Sequence, residues 1–339
     1  MRRFLSLVLL GACVQPPGGS VDTDTDGTDV ASALVLATFN TGSGASIDAA
    51  TGEAQGYDRT DAAWADDHLG NGIAWIPAVE DVTAWLARVR PDVIGFQELL
   101  WDGICPDLPE PPPFPSACDG WTADRPALVN RLLGEDYQVA CHLGAPDKCL
   151  AVRTEVATIA GCSAPLCLDG LRGVRIDGCG KGARAGAATL ELAAGGTLTV
   201  VNVHGNSGAT GEDQDCRAAL YDAIFVDAGE GAPLADGERN VVLGDLNQDP
   251  ARLAGIDRSA RRWNELVTEE RGWHHLTAVG VDAPGTYGGG LVSIDHVVSD
   301  SFVGSCVAPG ITEGEPPVTD KVYFDHVPEV CTARAEVAR

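Results

Sequence analysis

Short apolar runs that each stop on an acid, an amide or an imidazole constrain this chain more than any other feature. Leu34 to Phe39 runs into Asn40, Val93 to Phe96 into Gln97 and Glu98, and Leu198 to Val203 into His204. Val241 to Leu243 runs into Gly244-Asp245-Leu246-Asn247, and Leu291 to Ile294 into Asp295 and His296. Runs this short and apolar suit buried strands, and polar groups at the ends of such strands usually face a site. Asp325 and His326, ahead of a strand-like run at Val330, complete the set. Hard divalent cations prefer carboxylate and amide oxygens, so this donor set suits metal-dependent phosphoester chemistry.

The intervening segments read as an α/β layout. Val79, Val82, Leu86 and Val89 repeat at helical spacing after Pro77, and Pro91 ends that helix before the strand Val93 to Glu98. Trp75 and Trp85 beside it are read as core. Strands are predicted near Tyr137 to Cys141, Cys149 to Thr154, Ala187 to Leu192 and Thr197 to Val203, the last two joined by Ala193-Ala194-Gly195-Gly196. Helices are predicted from about Asp213 to Asp227 and around Arg258 to Val267, with further strands near Leu291, Phe302 and Val330. The Gly-, Asp- and Ala-rich excursion from Thr41 to about Gly72 is left without an element, and the Pro-rich residues 101 to 122 read as a rim loop over the Glu98 strand.

The N-terminus reads as an export signal. Arg2 and Arg3, an apolar stretch Phe4 to Leu10 and the tetrad Leu10-Gly11-Ala12-Cys13 predict a lipoprotein-type signal over residues 1–12 and acylation of Cys13. Residues 13–32 hold Pro16-Pro17-Gly18-Gly19 and alternating Asp and Thr, a composition that suits a disordered tether and leaves residues 33–339 as one catalytic domain. Asp22 to Gly27 imitates the start of a calcium loop, but Ala33 stands where that motif needs a bidentate Glu. Setting Cys13 aside from the 11 cysteines leaves an even number, as five disulfides in an oxidising compartment require. Proximity suggests Cys105 with Cys118, Cys141 with Cys149 and Cys162 with Cys167, leaving Cys179 with Cys216 and Cys306 with Cys331, although spacing alone leaves connectivity open. No C-x-x-C pair supports a zinc site. A lipid-anchored protein of the cell envelope is expected, attached to the membrane through that anchor only.

Lys+Arg 23 against Asp+Glu 49 gives a net charge of −26, which repels a long polyanion unless basic residues gather in the cleft. Arg172, Arg175, Lys181 and Arg184 are candidates for such a track, with a solvated loop as the plainer reading.

Ala37-Thr38-Phe39-Asn40, Gly95-Phe96-Gln97-Glu98, Asn202-Val203-His204-Gly205-Asn206, Gly244-Asp245-Leu246-Asn247, Ser293-Ile294-Asp295-His296 and Phe324-Asp325-His326 follow one another in this order. The series resembles the endonuclease/exonuclease/phosphatase superfamily from about Leu34 onward. The resemblance implies a deoxyribonuclease I-like fold, a four-layered sandwich of two mixed β-sheets flanked by helices, and in-line attack of water on a phosphoester. It implies Glu98 as ligand of Mg²⁺ (or Ca²⁺ or Mn²⁺), with Asn40 positioning that ligand and Asp325 completing the shell. His326 is then the general base or a phosphate-facing imidazole held by Asp295, while Asp245 and Asn247 orient the water and the phosphorus. Asp245 is the alternative base. His204 and Asn206 would serve a phosphoryl oxygen or the leaving group. Phe324 and His296 depart from the common pattern and loosen the substrate assignment. Asp102, Asp119, His142, His274 and His275 lack a strand-end motif and are read as structural. The expected function is an endonuclease-like phosphodiesterase, a monomer acting on a phosphodiester such as nucleic acid with no protein partner. A small-molecule or lipid phosphodiesterase, sphingomyelinase- or inositol-phosphatase-like, and a non-catalytic surface-binding protein are the alternatives.

Overall fold

Alternation along the strands sorts the apolar side chains into layers. In the computed structural model, which describes residues 33–44, 56–180, 184–229 and 231–336, Ala37 and Phe39 face one side of their strand while Leu36 faces the other. Val201 and Val203 likewise face away from Leu198 and Val200. The expected signal, Cys13, the tether before Ala33 and Lys181 lie outside the described residues.

The strands are β1 (Leu34–Asn40), β2 (Val93–Gln97), β3 (Tyr137–His142), β4 (Ala145–Arg153), β5 (Ala157–Ile159), β6 (Leu166–Val174), β7 (Arg184–Leu192), β8 (Thr197–His204), β9 (Asn240–Asp245), β10 (His274–His275), β11 (Asp295–Ser299), β12 (Phe302–Val307) and β13 (Glu329–Ala335). They form two mixed sheets, β12-β13-β1-β2-β4-β3-β6 and β6-β7-β8-β9-β11-β10, linked through β6, with β5 paired to β7. Parallel pairing joins β1 to β2, β3 to β6 and β8 to β9. Leu36, Val93, Leu150, Val200, Leu243 and Val297 fill the space between the sheets. Helices α1 (Arg59–Leu69), α2 (Ile76–Val89) and α3 (Leu128–Leu133) cover the outer face of the first sheet, and α4 (Gly211–Phe225) and α5 (Arg258–Leu266) that of the second. The result is the four-layered α/β sandwich expected. Trp75 and Trp85 are buried in the α2 layer, the latter edge-on to Phe39 at 5.6 Å.

The disulfides pair as sequence proximity suggested: Cys105–Cys118, Cys141–Cys149, Cys162–Cys167, Cys179–Cys216 and Cys306–Cys331. They fit an oxidising environment. No helix among the described residues is long and apolar enough to cross a membrane.

Three sequence expectations change. The excursion after Thr41 contains α1, started by a reciprocal capping box of Asp58 and Asp61 and ended by Gly70 in the left-handed region. Its buried face is Ala62, Ala65 and Leu69, too small to stand out as a helical stripe. The rim segment carries a 3₁₀ turn, Asp102–Asp107, inside the Cys105–Cys118 loop. Leu291 to Ile294 is not a strand: Leu291 is exposed, and β11 begins at Asp295 rather than ending there. Because β11 runs antiparallel to β9, its first residue lies at the same sheet edge as the last residue of β9.

Candidate active site

Strand register sets one row of polar side chains across the second sheet. His204 lies opposite Asp245 in the β8/β9 pair, and Asp245 lies opposite Asp295 in the β9/β11 pair. Asp245 and Asp295 have the strand phase of Leu243 and Val297, so they point between the sheets at their open edge. Asn40 ends β1 on the facing sheet and donates across the gap to Asp245 Oδ2 at 3.0 Å. Asn247 donates to the same oxygen at 3.1 Å, while its backbone N–H donates to Oδ1 at 2.8 Å. Two amides thus hold the Asp245 carboxylate in one orientation.

Turn geometry supplies the rest. Glu98 and Asn247 follow strand ends with φ of 51° and 54°, a left-handed conformation that is costly for non-glycine residues and common at functional sites. Gly244 tolerates its φ of 146° with the Val203 carbonyl oxygen only 2.0 Å from where a Cβ would stand. Glu98 leans back over the edge, its Oε1 3.4 Å from His204 Nε2 and its Oε2 accepting from Asn71 at 3.2 Å. His326 places Nδ1 2.9 Å from Asp295 Oδ2 and Nε2 3.7 Å from Asp245 Oδ2, and His204 Nε2 lies 3.6 Å from that Asp245 oxygen.

Burial and mutual charge shift these groups apart. Burial raises the Glu98 carboxyl, and the neighbouring Asp325 raises it further. Asp325 is itself raised by burial. Asp245 is pushed up to about 7 by burial, with Asp295 adding to the shift. Burial opposes the charged form of His326, but Asp295 and Asp245 outweigh it and raise the imidazole to about 10. His204, fully buried and facing Lys148 and His326, is held well below the usual range. One imidazole is therefore cationic at neutral pH and the other neutral.

The family model described as Endonuclease/Exonuclease/phosphatase family matches residues 37–316. This chain belongs to the endonuclease/exonuclease/phosphatase family. Solved structures agree at the level of fold. The human Nocturnin catalytic domain aligns at 12% identity over 90% of this chain and 95% of that one, with a TM-score of 0.54. ANGEL2, a 2′,3′-cyclic phosphatase, aligns at 11% identity over 91% and 96%, with a TM-score of 0.54. An endonuclease/exonuclease/phosphatase from Beutenbergia cavernae aligns at 16% identity over 91% and 72%, with a TM-score of 0.51. No curated protein sequence matches the chain significantly. As a member of this family the protein is a metal-dependent phosphoesterase.

The residues present fit a divalent cation. Glu98 and Asp325 repel each other, no hydrogen bond joins them among the described residues, and Asp325 Oδ1 is buried with no hydrogen-bond partner. Gly42 leaves the approach open, since a Cβ there would stand 2.1 Å from Glu98 Oε2. Asp245, Asp295 and His326 also bring donor atoms within 4.8 Å of one another. His326 Nδ1 already bonds Asp295, however, and two amides already bond Asp245, so that group is a hydrogen-bonded relay.

Asn206 departs from its expected place. Its carbonyl accepts from Gly180 N at 2.9 Å, and its amide donates to Ser207 O and to Asp213 Oδ1 at 2.7 Å. It clamps the loop after β8 and has no donor left for a phosphate. Of the candidate basic track, Arg172 is bound to Asp236 and to the Leu234 carbonyl, and Arg184 is buried opposite His204 in the β7/β8 pair. Asp102 bonds Arg131, Asp119 caps Ser116 N, His274 faces Glu336 and His275 packs on Trp263, as structural residues do. His142 is buried against Gly173 with its Nδ1 on the Leu143 carbonyl. His296 is buried, bonded to Ser293 O and Thr277, and faces away from Asp295. Phe324 packs on Phe39.

Lys148, Asn71 and Tyr287 were not legible as site residues. Lys148 is buried, pairs with Asp147 at 2.5 Å, and its charge acts on both Glu98 and His204. It sits in a hairpin with no strand-end signature. Tyr287 sets its ring 4.8 Å from that of His326, tilted by 54°, out of a glycine-rich loop.

Proposed function

We infer that this protein is an exported, divalent-metal-dependent phosphodiesterase, endonuclease-like in its mode of cleavage. The observation that supports this reading is the meeting of Glu98, Asp325, Asp245, Asp295, His204 and His326 at one edge between the two sheets. Glu98 and Asp325 would hold the cation, with Asn40 fixing the local backbone through the Gly42 N–H. A bound divalent cation supplies neutralisation of charge gathering on the phosphoryl oxygens.

The chain's own side chains divide the remaining work. Asp245, held by Asn40 and Asn247 and poised near neutral pH, is placed to orient the attacking water and take its proton. His326 keeps its Nδ1 proton on Asp295 and turns Nε2 toward the reacting phosphate as a charged donor. On this reading His326 takes the phosphate-facing role and Asp245 the base role. His204, neutral and fully buried, accepts or donates one hydrogen bond at the leaving-group side.

A compact phosphoester is the second reading. It is favoured by the net charge of −26 and by a cavity of about 510 Å³ beside Asp325, lined by Ser43, Arg59, Asn71 and Tyr287. Acylation at Cys13 and tethering through residues 13–32 would place the enzyme at the cell envelope, in keeping with the disulfides.

One assay sorts these readings. The purified protein is incubated with plasmid DNA, RNA, bis(p-nitrophenyl) phosphate, sphingomyelin and inositol phosphates, with Mg²⁺, with Ca²⁺ and with chelator. Cation-dependent cleavage is expected, and H326A should lose about 10²- to 10⁴-fold in kcat while staying folded. Binding without cleavage of any substrate would leave only a surface-binding role.

A further inference from the structure

Glu329 is a buried acid that the mechanism above does not use. It opens β13 three residues after His326 and is 5% exposed. In the β1/β13 ladder it stands opposite Thr38, and its strand phase is that of Cys331 and Ala333, which fill the space between the sheets. Asp295 has the phase of Val297, in the same interior layer, and lies close enough for its charge to act on Glu329. Asp295 spends Oδ2 on His326, while its Oδ1 is buried with no hydrogen-bond partner. An ionised oxygen left so costs about 1 to 3 kcal/mol or more, and native structures rarely leave it unmet.

Among the described residues no cation is found to act on Glu329. β1 presents Thr38, whose hydroxyl is engaged with Gln97, and Asn40, whose amide is engaged with Asp245. The β12/β13 ladder ends at Val307 and Val330, one residue short of Glu329, and on the Glu329 face it presents Cys306 beside Cys331. From β11 the group acting on it is Asp295, and that interaction and burial both disfavour a second negative charge. Two carboxyls that share an apolar layer settle on one proton between them.

We propose that Glu329 is a positioning residue of the active site, its carboxyl O–H donating to Asp295 Oδ1 directly or across one ordered water and so locking the Asp295 carboxylate that orients His326. The chain is then a relay of Glu329, Asp295 and His326, with Glu329 touching neither substrate nor cation. It is the distal member that fixes which face Asp295 turns to the imidazole. This rests on the proposed role of His326.

E329Q keeps the volume and a neutral donor, and E329L keeps the volume and removes the donor. The first readout needs no turnover: the ring nitrogen signals of His326 are followed by NMR as pH is raised. In the wild-type protein they should show a step at about pH 8, where Glu329 ionises. E329Q and E329L should both lack that step; above about pH 10, where the His326 ring becomes neutral, E329Q should keep the remaining proton on Nδ1 whereas E329L should show mixed tautomers. The second readout is hydrolysis of bis(p-nitrophenyl) phosphate with Mg²⁺. E329Q should stay within about threefold of wild-type kcat, and E329L should lose about tenfold in kcat with KM unchanged, the loss of roughly one good hydrogen bond to a charged group. An unchanged step in E329Q, or wild-type tautomer and kcat in E329L, overturns the proposal. If E329L fails to fold, the E329Q titration decides alone. If the wild-type protein cleaves nothing, the proposed function fails while the NMR step still tests Glu329.

Discussion

Replacing Arg217 with Met should destabilise this protein severely and disturb the site from a distance. Arg217 lies on α4 with 1% of its side chain exposed. Its Nε donates to Ser259 Oγ at 2.8 Å, Nη2 to Asp257 Oδ2 at 2.8 Å, and Nη1 to the carbonyls of Asn206 and Gly208 at 2.7 and 2.8 Å. It therefore ties α4 to Asp257, the N-cap of α5, and to the loop that follows His204. Met fills most of the volume but leaves the Asp257 carboxylate buried without its cation, at a cost of about 3 to 5 kcal/mol. The two carbonyls lose donors worth about 1 kcal/mol each, partly shared within the same network. A loss of about 4 to 6 kcal/mol from a total of about 5 to 15 would leave the variant marginal. Urea unfolding followed by tryptophan fluorescence measures this, because Trp263 is buried on the neighbouring α5. R217K should recover less than half, since one ammonium cannot replace the guanidinium fork. A loss below about 1 kcal/mol, with kcat/KM unchanged, would refute the reasoning that this arginine carries the loop.

Four further outcomes are expected. Mg²⁺ at about a hundredfold excess over its Kd should stabilise the protein by about 2.7 kcal/mol, and E98Q should abolish that shift in thermal denaturation while remaining folded. D295N should let the His326 imidazole fall from about 10 toward its ordinary 6.5, as read by ring NMR, with kcat down about 10²- to 10⁴-fold. Glu329 is an acid raised in the fold from 4.5 to about 8, so its contribution is intact below pH 4.5 and lost as pH rises through that window. The full loss is about 5 kcal/mol, from about 1.4 kcal/mol per unit, and urea midpoints across the window should fall in the wild type and flatten in E329Q. Removing Cys179–Cys216, which spans 37 residues, should cost about 4 kcal/mol in denaturant unfolding, more than removal of any shorter crosslink.

Much of the site was legible because its signals are local. A strand alternates every two residues, so an apolar run ending in Asn40, His204 or Asp245 announces both its burial and the edge it delivers to. The pairing of cysteines by proximity was legible for the same reason, since four of the five bridges close loops of 25 residues or fewer. Asp295 shows the limit: its motif is visible and the apolar run Leu291 to Ile294 reads as a strand ending there, whereas antiparallel pairing to β9 makes Asp295 a strand start. Helix α1 was hidden because alanines carry its buried face, and Asn206 reads as a ligand until Gly180 and Asp213 claim its amide.

From residue order alone came the donor set, the burial of the strands that carry it and the family motifs, all of which depend on neighbours a few positions apart. Only the folded chain decided that Lys148, from an unmarked hairpin, lends its charge to Glu98 and His204, that Arg172 is spent on Asp236, and that Glu329 shares an interior layer with Asp295. The reason is physical: contacts across two stacked sheets depend on register and loop closure between segments far apart in the chain, and nothing within a short window encodes which acid will meet which base.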